Sequence, residues 1–206
     1  MARVAARERR RQLVDAAYRV IGRDGFAAAT TRRVCAEAGA SLAAFHYCFA
    51  SKQELLVELT EQAMRELEAA RAGGVTIRAT AAESIRATLH GYWDTVEADP
   101  NREQVLVALT QHALGDSSLA GVAQRQYAAY HRAAAEALRE IAEGCGVRWS
   151  LPIEQLARML VVVTDGVTVA WLVDRDSTAA RAALDAFAAH LATHAQPGGA
   201  STKFRI

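Results

Sequence analysis

The chain has 206 residues, 51% of them hydrophobic and 23% charged, a composition typical of a soluble globular protein with one or two domains. Its three cysteines match no zinc or disulfide spacing, which predicts a reducing cytoplasm. No apolar segment follows the N-terminal arginines, as a secretory signal would require. The most apolar run, residues 159–173, is shorter than the roughly 20 residues that span a membrane, so it predicts a buried core helix and no membrane contact.

Charge is distributed unevenly along the chain, although the net charge is only +1. Residues 1–53 hold ten basic and four acidic side chains, whereas the remainder holds fourteen basic and nineteen acidic ones. This asymmetry predicts a polyanionic partner for the N-terminal segment. A solvated, charged helix is the alternative interpretation of the same charges.

Apolar residues recur at helical spacing through most of the chain, and only three prolines interrupt it. We therefore predict an all-α fold of about nine helices and no strand. The fourth helix begins at a capping box formed by Ser51 and Glu54 and ends near Gly73. The predicted spans are 7–24, 31–38, 42–48, 51–72, 79–98, 102–114, 119–143, 153–173 and 178–194.

Residues 31–50 meet the steric requirements of a helix-turn-helix, in which two short helices cross closely. The fifth residue must be small and is Cys35, and the ninth sits in the turn and is Gly39. Four further positions should be apolar and face inward, and they hold Val34, Ala38, Phe45 and Cys48. An unrelated amphipathic hairpin would meet only one or two of these six conditions.

The second helix of this motif should present its outward residues to the major groove of DNA. Leu42, Ala43 and Ala44 could touch thymine methyl groups, while Ser41 could hydrogen-bond a base edge. On the first helix, Arg32 and Arg33 could reach bases or the backbone. The side chains better suited to phosphate contact are Thr31, His46, Tyr47 and Lys52.

The stretch from Thr30 to Ser41, followed by Phe45-His46-Tyr47-Cys48-Phe49-Ala50-Ser51-Lys52-Gln53-Glu54-Leu55-Leu56, resembles the DNA-binding domain of tetracycline-repressor-type (TetR) regulators. The resemblance implies an all-α homodimer with a three-helix DNA-binding head. The expected organisation is a DNA-binding domain at 1–53, a ligand-binding and dimerisation domain at 54–195, and a disordered tail at 196–206. Cys48 departs from the histidine that the family often carries, so its inward packing role is the safer expectation.

The second domain of the family binds small organic molecules among its central helices, and aromatic residues with a few polar groups suit such a pocket. The candidates in this chain are His90, Trp93, His112, Tyr127, Tyr130, His131 and Asp165. For each of them taken alone, a place in the core is the commoner role of an aromatic residue at helical spacing. The spacing of the three histidines does not indicate a metal site, and no cofactor is expected.

The last two helices resemble the four-helix dimer interface of the family. The residues predicted to lie there are Val163, Val167, Trp171, Leu184, Phe187 and Leu191. A twofold dimer would match a palindromic operator in double-stranded DNA.

The function implied is that of a sequence-specific transcriptional regulator, in the family's usual mode a repressor released by a small organic effector. A helical adaptor without DNA binding is the first alternative, but it would not need the charge asymmetry. An enzyme is the second, and no catalytic motif with converging nucleophile, base and acid is present in the sequence.

Overall fold

A computed structural model describes residues 2–71 and 75–198 of the chain. Within these residues the chain forms nine α-helices and two very short strands, so the predicted all-α class is confirmed. The helices are α1 (Ala2–Asp24), α2 (Thr31–Glu37), α3 (Leu42–Cys48), α4 (Lys52–Arg71), α5 (Ala81–Ala98), α6 (Pro100–Gly115), α7 (Ala120–Cys145), α8 (Ile153–Asp174) and α9 (Ser177–Ala192).

The helices begin and end within a few residues of the predicted positions, and the differences have local causes. Helix α6 begins at Pro100, two residues early, because proline fits the first turn of a helix and the Asp99 side chain accepts from the Arg102 N–H. Helix α7 follows a 3-10 turn at Ser117–Leu119. Helix α1 begins five residues before its predicted start.

The two strands were not predicted, and they correct the expectation of a disordered tail from residue 196. Strand β1 (Val147–Trp149) pairs antiparallel with β2 (Ala195–Pro197), with Arg148 opposite Gln196. The indole N–H of Trp149 also donates to the Leu138 carbonyl at 3.0 Å. Three residues are too few to show an alternating pattern in the sequence. Residues 199–206 of the predicted tail lie outside the described residues.

The chain divides into two compact units, each with its own core. The first unit comprises α1–α4, α6 and the start of α7, through residue 129. Its core joins Leu13 and Ile21 of α1 to Phe45 of α3, Leu55 of α4 and Val105 of α6, all of them almost completely buried. The grouping does not follow the expected boundary at residue 53, which stays a prediction.

The second unit comprises α5, the rest of α7, α8, α9 and the two strands. Trp93 of α5 is fully buried, and its ring meets that of Trp171 on α8 edge to face with centroids 5.5 Å apart. Leu184 and Leu191 of α9 are also fully buried. An edge-to-face aromatic pair adds to the stability given by burial alone.

Helix α8 is covered only in part by its own chain. Only 33% of its most apolar window is buried, although the helix is long and apolar enough to cross a membrane by length and composition. The core or interface helix of a protein meets the same two criteria. Val162 (64%), Val169 (45%) and Val173 (83%) are exposed, so α8 presents an apolar face to its surroundings. The core of the chain therefore covers only part of α8, and the rest of its expected burial, against a partner subunit, stays a prediction.

Candidate nucleic-acid interface

Helices α2 and α3 are joined by a tight turn that local capping holds in place. The hydroxyl of Thr30 caps α2 by accepting from the Arg33 N–H at 3.2 Å, and the hydroxyl of Ser41 caps α3 by accepting from the Ala44 N–H at 3.1 Å. Between them Gly39 adopts a φ of +59°, a left-handed conformation that glycine enters without strain. The two helices thus form the predicted turn, with Thr30 as the first cap.

Five of the six positions required by the motif lie on the inner side of α2 and α3, and the sixth, Gly39, lies in the turn. Val34 and Phe45 are completely buried and Cys35 nearly so, while Ala38 and Cys48 are half-buried. Burial raises the pKa of the Cys35 thiol above its ordinary value. The small side chain at position 35 leaves room for α3 to cross α2.

The outward residues of α3 face solvent, as the pattern predicts. Ser41, Leu42, Ala43, His46 and Tyr47 are exposed, and Tyr47 retains 78% of its accessible surface. Ala44 is half-buried. An exposed aromatic ring on a seven-residue helix has little structural use, so this surface is free to contact a ligand as large as DNA.

The predicted DNA-contacting side chains of α2 differ in their exposure and in their ion pairs. Arg32 is exposed and forms no ion pair with any described residue, whereas Arg33 pairs with Asp24 at 3.0 Å. Thr31 is half-buried in the first turn of the helix. Arg32 is therefore the long cationic side chain of α2 that can bind an outside partner without losing an internal one.

Lys52, at the start of α4, lies against an aromatic ring. Its Nζ is 4.7 Å from the centroid of Phe26, and partial burial lowers the pKa of the Lys52 amine. The same Phe26 ring stacks on His112 of α6, with centroids 3.8 Å apart. The ammonium group is thus held near the N-terminal end of α4, beside the helix-turn-helix.

Much of the positive charge counted in the sequence is neutralised by ion pairs. Arg19 and Arg23 both bind Glu37 at 3.0 Å, and Arg11 binds Glu8 of its own helix. Arg10 binds two carboxylates of α4 and was missed as a structural residue, because the sequence places it within a run of exposed arginines. Such partners come from residues distant in sequence, so a count of charges cannot reveal them.

Two of the predicted effector-binding residues lie in the first unit. His112 is exposed and stacks on Phe26, and Tyr127 is half-buried. A cleft of about 290 Å³ does exist in this unit, but other residues form its walls. They are Val14, Asp15, Tyr18, Arg19, Leu59, Gln62, Ala63 and Asp99.

The other five candidates lie in the second unit and have different surroundings. Trp93 is a core residue, fully buried against Trp171. His90 pairs with Asp185 at 2.7 Å. Tyr130, His131 and Asp165 are half-buried, and burial lowers the pKa of the His131 imidazole. The role of these five in effector binding stays a prediction.

The six predicted dimer residues differ in how much surface they could offer a partner. Trp171, Leu184 and Leu191 are buried within the chain itself, and their place at an interface stays a prediction. Val163, Val167 and Phe187 are half-buried. The exposed apolar side of α8 holds Val162, Val169 and Val173 instead, next to Gly166, where an added methyl group would meet no neighbouring atom within 4 Å.

An exposed recognition helix, a capped turn and an arginine, Arg32, that forms no ion pair with the described residues define a DNA-binding protein of the helix-turn-helix class. Residues 13–59 match the family model described as bacterial regulatory proteins of the tetR family. Residues 81–196 match the C-terminal model of BetI-type transcriptional repressors. The chain therefore belongs to the tetR family of bacterial transcriptional regulators.

Individual relatives agree with this assignment. The chain is 30% identical over 181 residues to the nicotine-responsive transcriptional repressor HdnoR of Paenarthrobacter nicotinovorans, covering 84% of this chain and 88% of that protein. A TetR-family regulator structure from Rhodococcus sp. superposes with a TM-score of 0.74 at 21% identity, covering 89% of this chain and 98% of the other. The structure of FadR of Bacillus subtilis in complex with stearoyl-CoA superposes with a TM-score of 0.72 at 18% identity, covering 89% of this chain and 97% of the other.

The expected family, fold class and function are confirmed by these matches. The protein is a DNA-binding transcriptional regulator of a family whose members respond to small molecules. The family is one of regulators and not of enzymes.

Proposed function

We propose that the protein is a cytoplasmic, homodimeric repressor that binds a palindromic operator and leaves it when a small organic effector binds. The observation that carries this proposal is the outer surface of α3, where Leu42 and Tyr47 are exposed beside small side chains. A regulator needs such a surface, whereas a helical adaptor or an enzyme does not. No catalytic step and no cofactor are part of the proposal.

Recognition of bases falls to the N-terminal part of α3 and to Arg32. The methyl and methylene groups of Leu42, Ala43 and Ala44 suit thymine methyl groups in the major groove. The Ser41 oxygen already accepts the Ala44 N–H, but its hydroxyl hydrogen is free to donate to a base. Because few long polar side chains point outward, DNA shape and bound water should contribute much of the sequence preference.

Phosphate contacts fall to Thr31, His46, Tyr47 and Lys52, with Arg33 available once it releases Asp24. Arg7, exposed and without an ion pair among the described residues, supplies further charge from α1. Such contacts position a protein on the duplex without reading its sequence.

A second copy of the chain is the occupant we assign to the exposed apolar side of α8. Val162, Val169 and Val173 follow one another at spacings of seven and four residues, which places them on one helix face. A twofold pairing through this face would present two α3 helices to successive half-sites of a palindrome.

The effector is proposed to bind in the second unit and to act through α4. The relative HdnoR responds to nicotine, so nicotine is the first compound to test on this chain. An effector can release the operator only to the extent that it binds the DNA-free state more tightly than the DNA-bound state.

The test begins with selection of bound sequences from a random duplex pool, followed by a salt titration on the selected duplex. We expect a palindromic consensus and an affinity that falls steeply with salt. A variant in which Tyr47 and Leu42 are both replaced by alanine serves as the control, because both side chains are exposed and their removal should leave the fold intact. Failure of the native protein to bind any duplex at low salt would refute the proposal.

A further inference from the structure

Arg10 of α1 is the point at which three helices of the first unit are held together. Its Nη1 donates to the carbonyl oxygen of Cys48, the last residue of α3, at 2.5 Å. The same guanidinium binds Glu54 at 3.0 Å and Glu58 at 3.1 Å, both on α4. Its central carbon also lies 4.2 Å from the centroid of the Phe49 ring.

These contacts use all three nitrogens of the guanidinium. Nε donates to Glu58 at 3.2 Å, Nη1 to Cys48 and Glu54, and Nη2 to Glu54 and Glu58. A planar guanidinium with five N–H groups can bridge a carbonyl and two carboxylates in this way, and a lysine ammonium cannot reproduce the geometry. To reach a DNA phosphate, Arg10 would have to give up several of these bonds.

The connection between α3 and α4 is fixed from two sides by the same pair of residues. Arg10 satisfies the carbonyl at the C-terminal end of α3, where unpaired carbonyls carry a partial negative charge. Glu54 accepts the Ala50 N–H at 2.8 Å as well as bonds from Arg10. The three linking residues, 49–51, therefore have little freedom to change the direction of α3 relative to α4.

We propose that Arg10 is a positioning residue for DNA recognition, which sets the direction of α3 against α4 without touching DNA. The proposal rests on the DNA binding set out above, and it separates Arg10 from Arg7, which supplies charge from the same helix. It also implies a route for release, because Glu54 and Glu58 belong to α4. A shift of α4 must then carry the end of α3 with it or break the contacts of Arg10.

The first experiment replaces Arg10 with methionine and measures affinity for the selected duplex and for a scrambled duplex over a range of salt concentrations. We expect the ratio of the two affinities to fall roughly tenfold, the size of effect given by the loss of charge-assisted hydrogen bonds at one residue. The salt slope should stay unchanged, since no phosphate contact is lost. Arg7→Met is the matched control, and it should flatten the slope while leaving the ratio intact.

The second experiment removes a negative charge from a carboxylate partner of Arg10, whereas the first removes the positive charge of Arg10 itself. Glu58→Gln removes a negative charge near a bound polyanion, so general electrostatics predicts tighter binding to every duplex. The positioning role predicts a lower ratio of selected to scrambled affinity, because one of the partners of Arg10 on α4 is weakened. Glu61→Gln on the same helix is the control, since Glu61 pairs with Arg65, at 4.0 Å, and not with Arg10, and it should leave the ratio unchanged.

The outcomes separate this inference from the proposed function. If the native protein binds no duplex selectively, the proposed function fails first. If it binds selectively while Arg10→Met flattens the salt slope and keeps the ratio, Arg10 is a phosphate contact and the positioning role is overturned. An unchanged ratio in Glu58→Gln, with thermal unfolding showing both variants folded, overturns it as well.

Discussion

At the scale of single residues, Gly39 decides whether α2 can turn into α3. Its φ of +59° suits glycine, and a methyl group built there would meet no atom within 4 Å, so any cost of substitution comes from backbone strain and not from a clash. We expect Gly39→Ala to lower the free energy of unfolding by about 1 to 2 kcal/mol. Thermal and urea unfolding followed by circular dichroism measures this loss.

Gly91 is the matched control for this substitution. It lies within α5 and also has no atom within 4 Å of an added methyl group, but its φ is not in the left-handed region. Gly91→Ala should therefore stabilise the protein, by at most about 1 kcal/mol. Equal effects of the two substitutions would contradict the role of Gly39 in the turn.

Lys52 carries a separate prediction at this scale. Lys52→Ala should weaken binding to selected and scrambled duplexes alike and should lower the salt slope by about 0.9, the value for one phosphate contact. Arg148→Ala, at the exposed position of strand β1 in the second unit, is the control and should leave the slope as it is. A loss confined to one sequence would show that Lys52 reads bases instead.

Residue by residue, the sequence predicted burial in the helix-turn-helix well and its ion pairs poorly. Val34 and Phe45 are inward and Tyr47 outward, because helical periodicity alone assigns a face. The carboxylate partners of Arg10 lie 44 and 48 residues further along the chain, and the partner of Arg33 lies 9 residues before it. No local pattern specifies which carboxylate an arginine meets.

At the scale of elements, the start of α4 depends on ionised Glu54. The Ala50 N–H, followed by the Arg10 guanidinium, holds the pKa of the Glu54 carboxyl below its usual value of 4.5. A lowered pKa in the folded state means that the stabilisation is complete above pH 4.5 and is lost as the pH falls through the folded-state value.

The variant Glu54→Gln tests this dependence. We expect it to be less stable than the native protein near pH 7, with the difference shrinking steadily below pH 4.5, where the native carboxyl becomes protonated as well. Urea unfolding at a series of pH values measures the difference. Glu61→Gln, at an exposed position of the same helix, should follow the native curve; a Glu54→Gln difference that is constant with pH would refute the prediction.

Elements were predictable in proportion to their length. Every α-helix of the described residues was anticipated, because each spans about two turns or more, or begins at a recognisable cap, as Ser41 does for α3. Strands β1 and β2 were not, since their pairing depends on chain segments almost fifty residues apart. Three residues of extended backbone leave no periodic signal.

At the scale of the whole molecule, the exposed valines of α8 make the oligomeric state testable. Val162→Glu places a charge on the surface that we assign to a second copy, at a position 64% exposed in the single chain. We expect light scattering to report one chain instead of two at micromolar concentration, and affinity for a palindromic duplex to fall toward that for a half-site.

Ala82→Glu adds the same charge at an exposed position in the first turn of α5, where an acidic residue is tolerated, and should leave the dimer intact. A dimer that survives Val162→Glu would show that the chain pairs through another face.

The same helix shows why the sequence could not predict which side of α8 its own chain covers. Hydropathy identifies α8 as apolar, but a helix that is apolar on all sides gives no indication of which side its own chain covers. Trp171 and Val173 differ by only two positions, yet the first packs on Trp93 and the second is 83% exposed. That choice is made by tertiary packing with α5 and α9.

The pairing of Trp93 with Trp171 has a practical use in spectroscopy. All three tryptophans of the chain, the third being Trp149, lie in the second unit, and the DNA-binding helices contain none. Indole fluorescence excited at the red edge of absorption, where tyrosine contributes nothing, therefore reports on the second unit alone. Titrating nicotine or operator DNA into the native protein would show by emission alone whether either one perturbs the environment of these indoles, with no label attached.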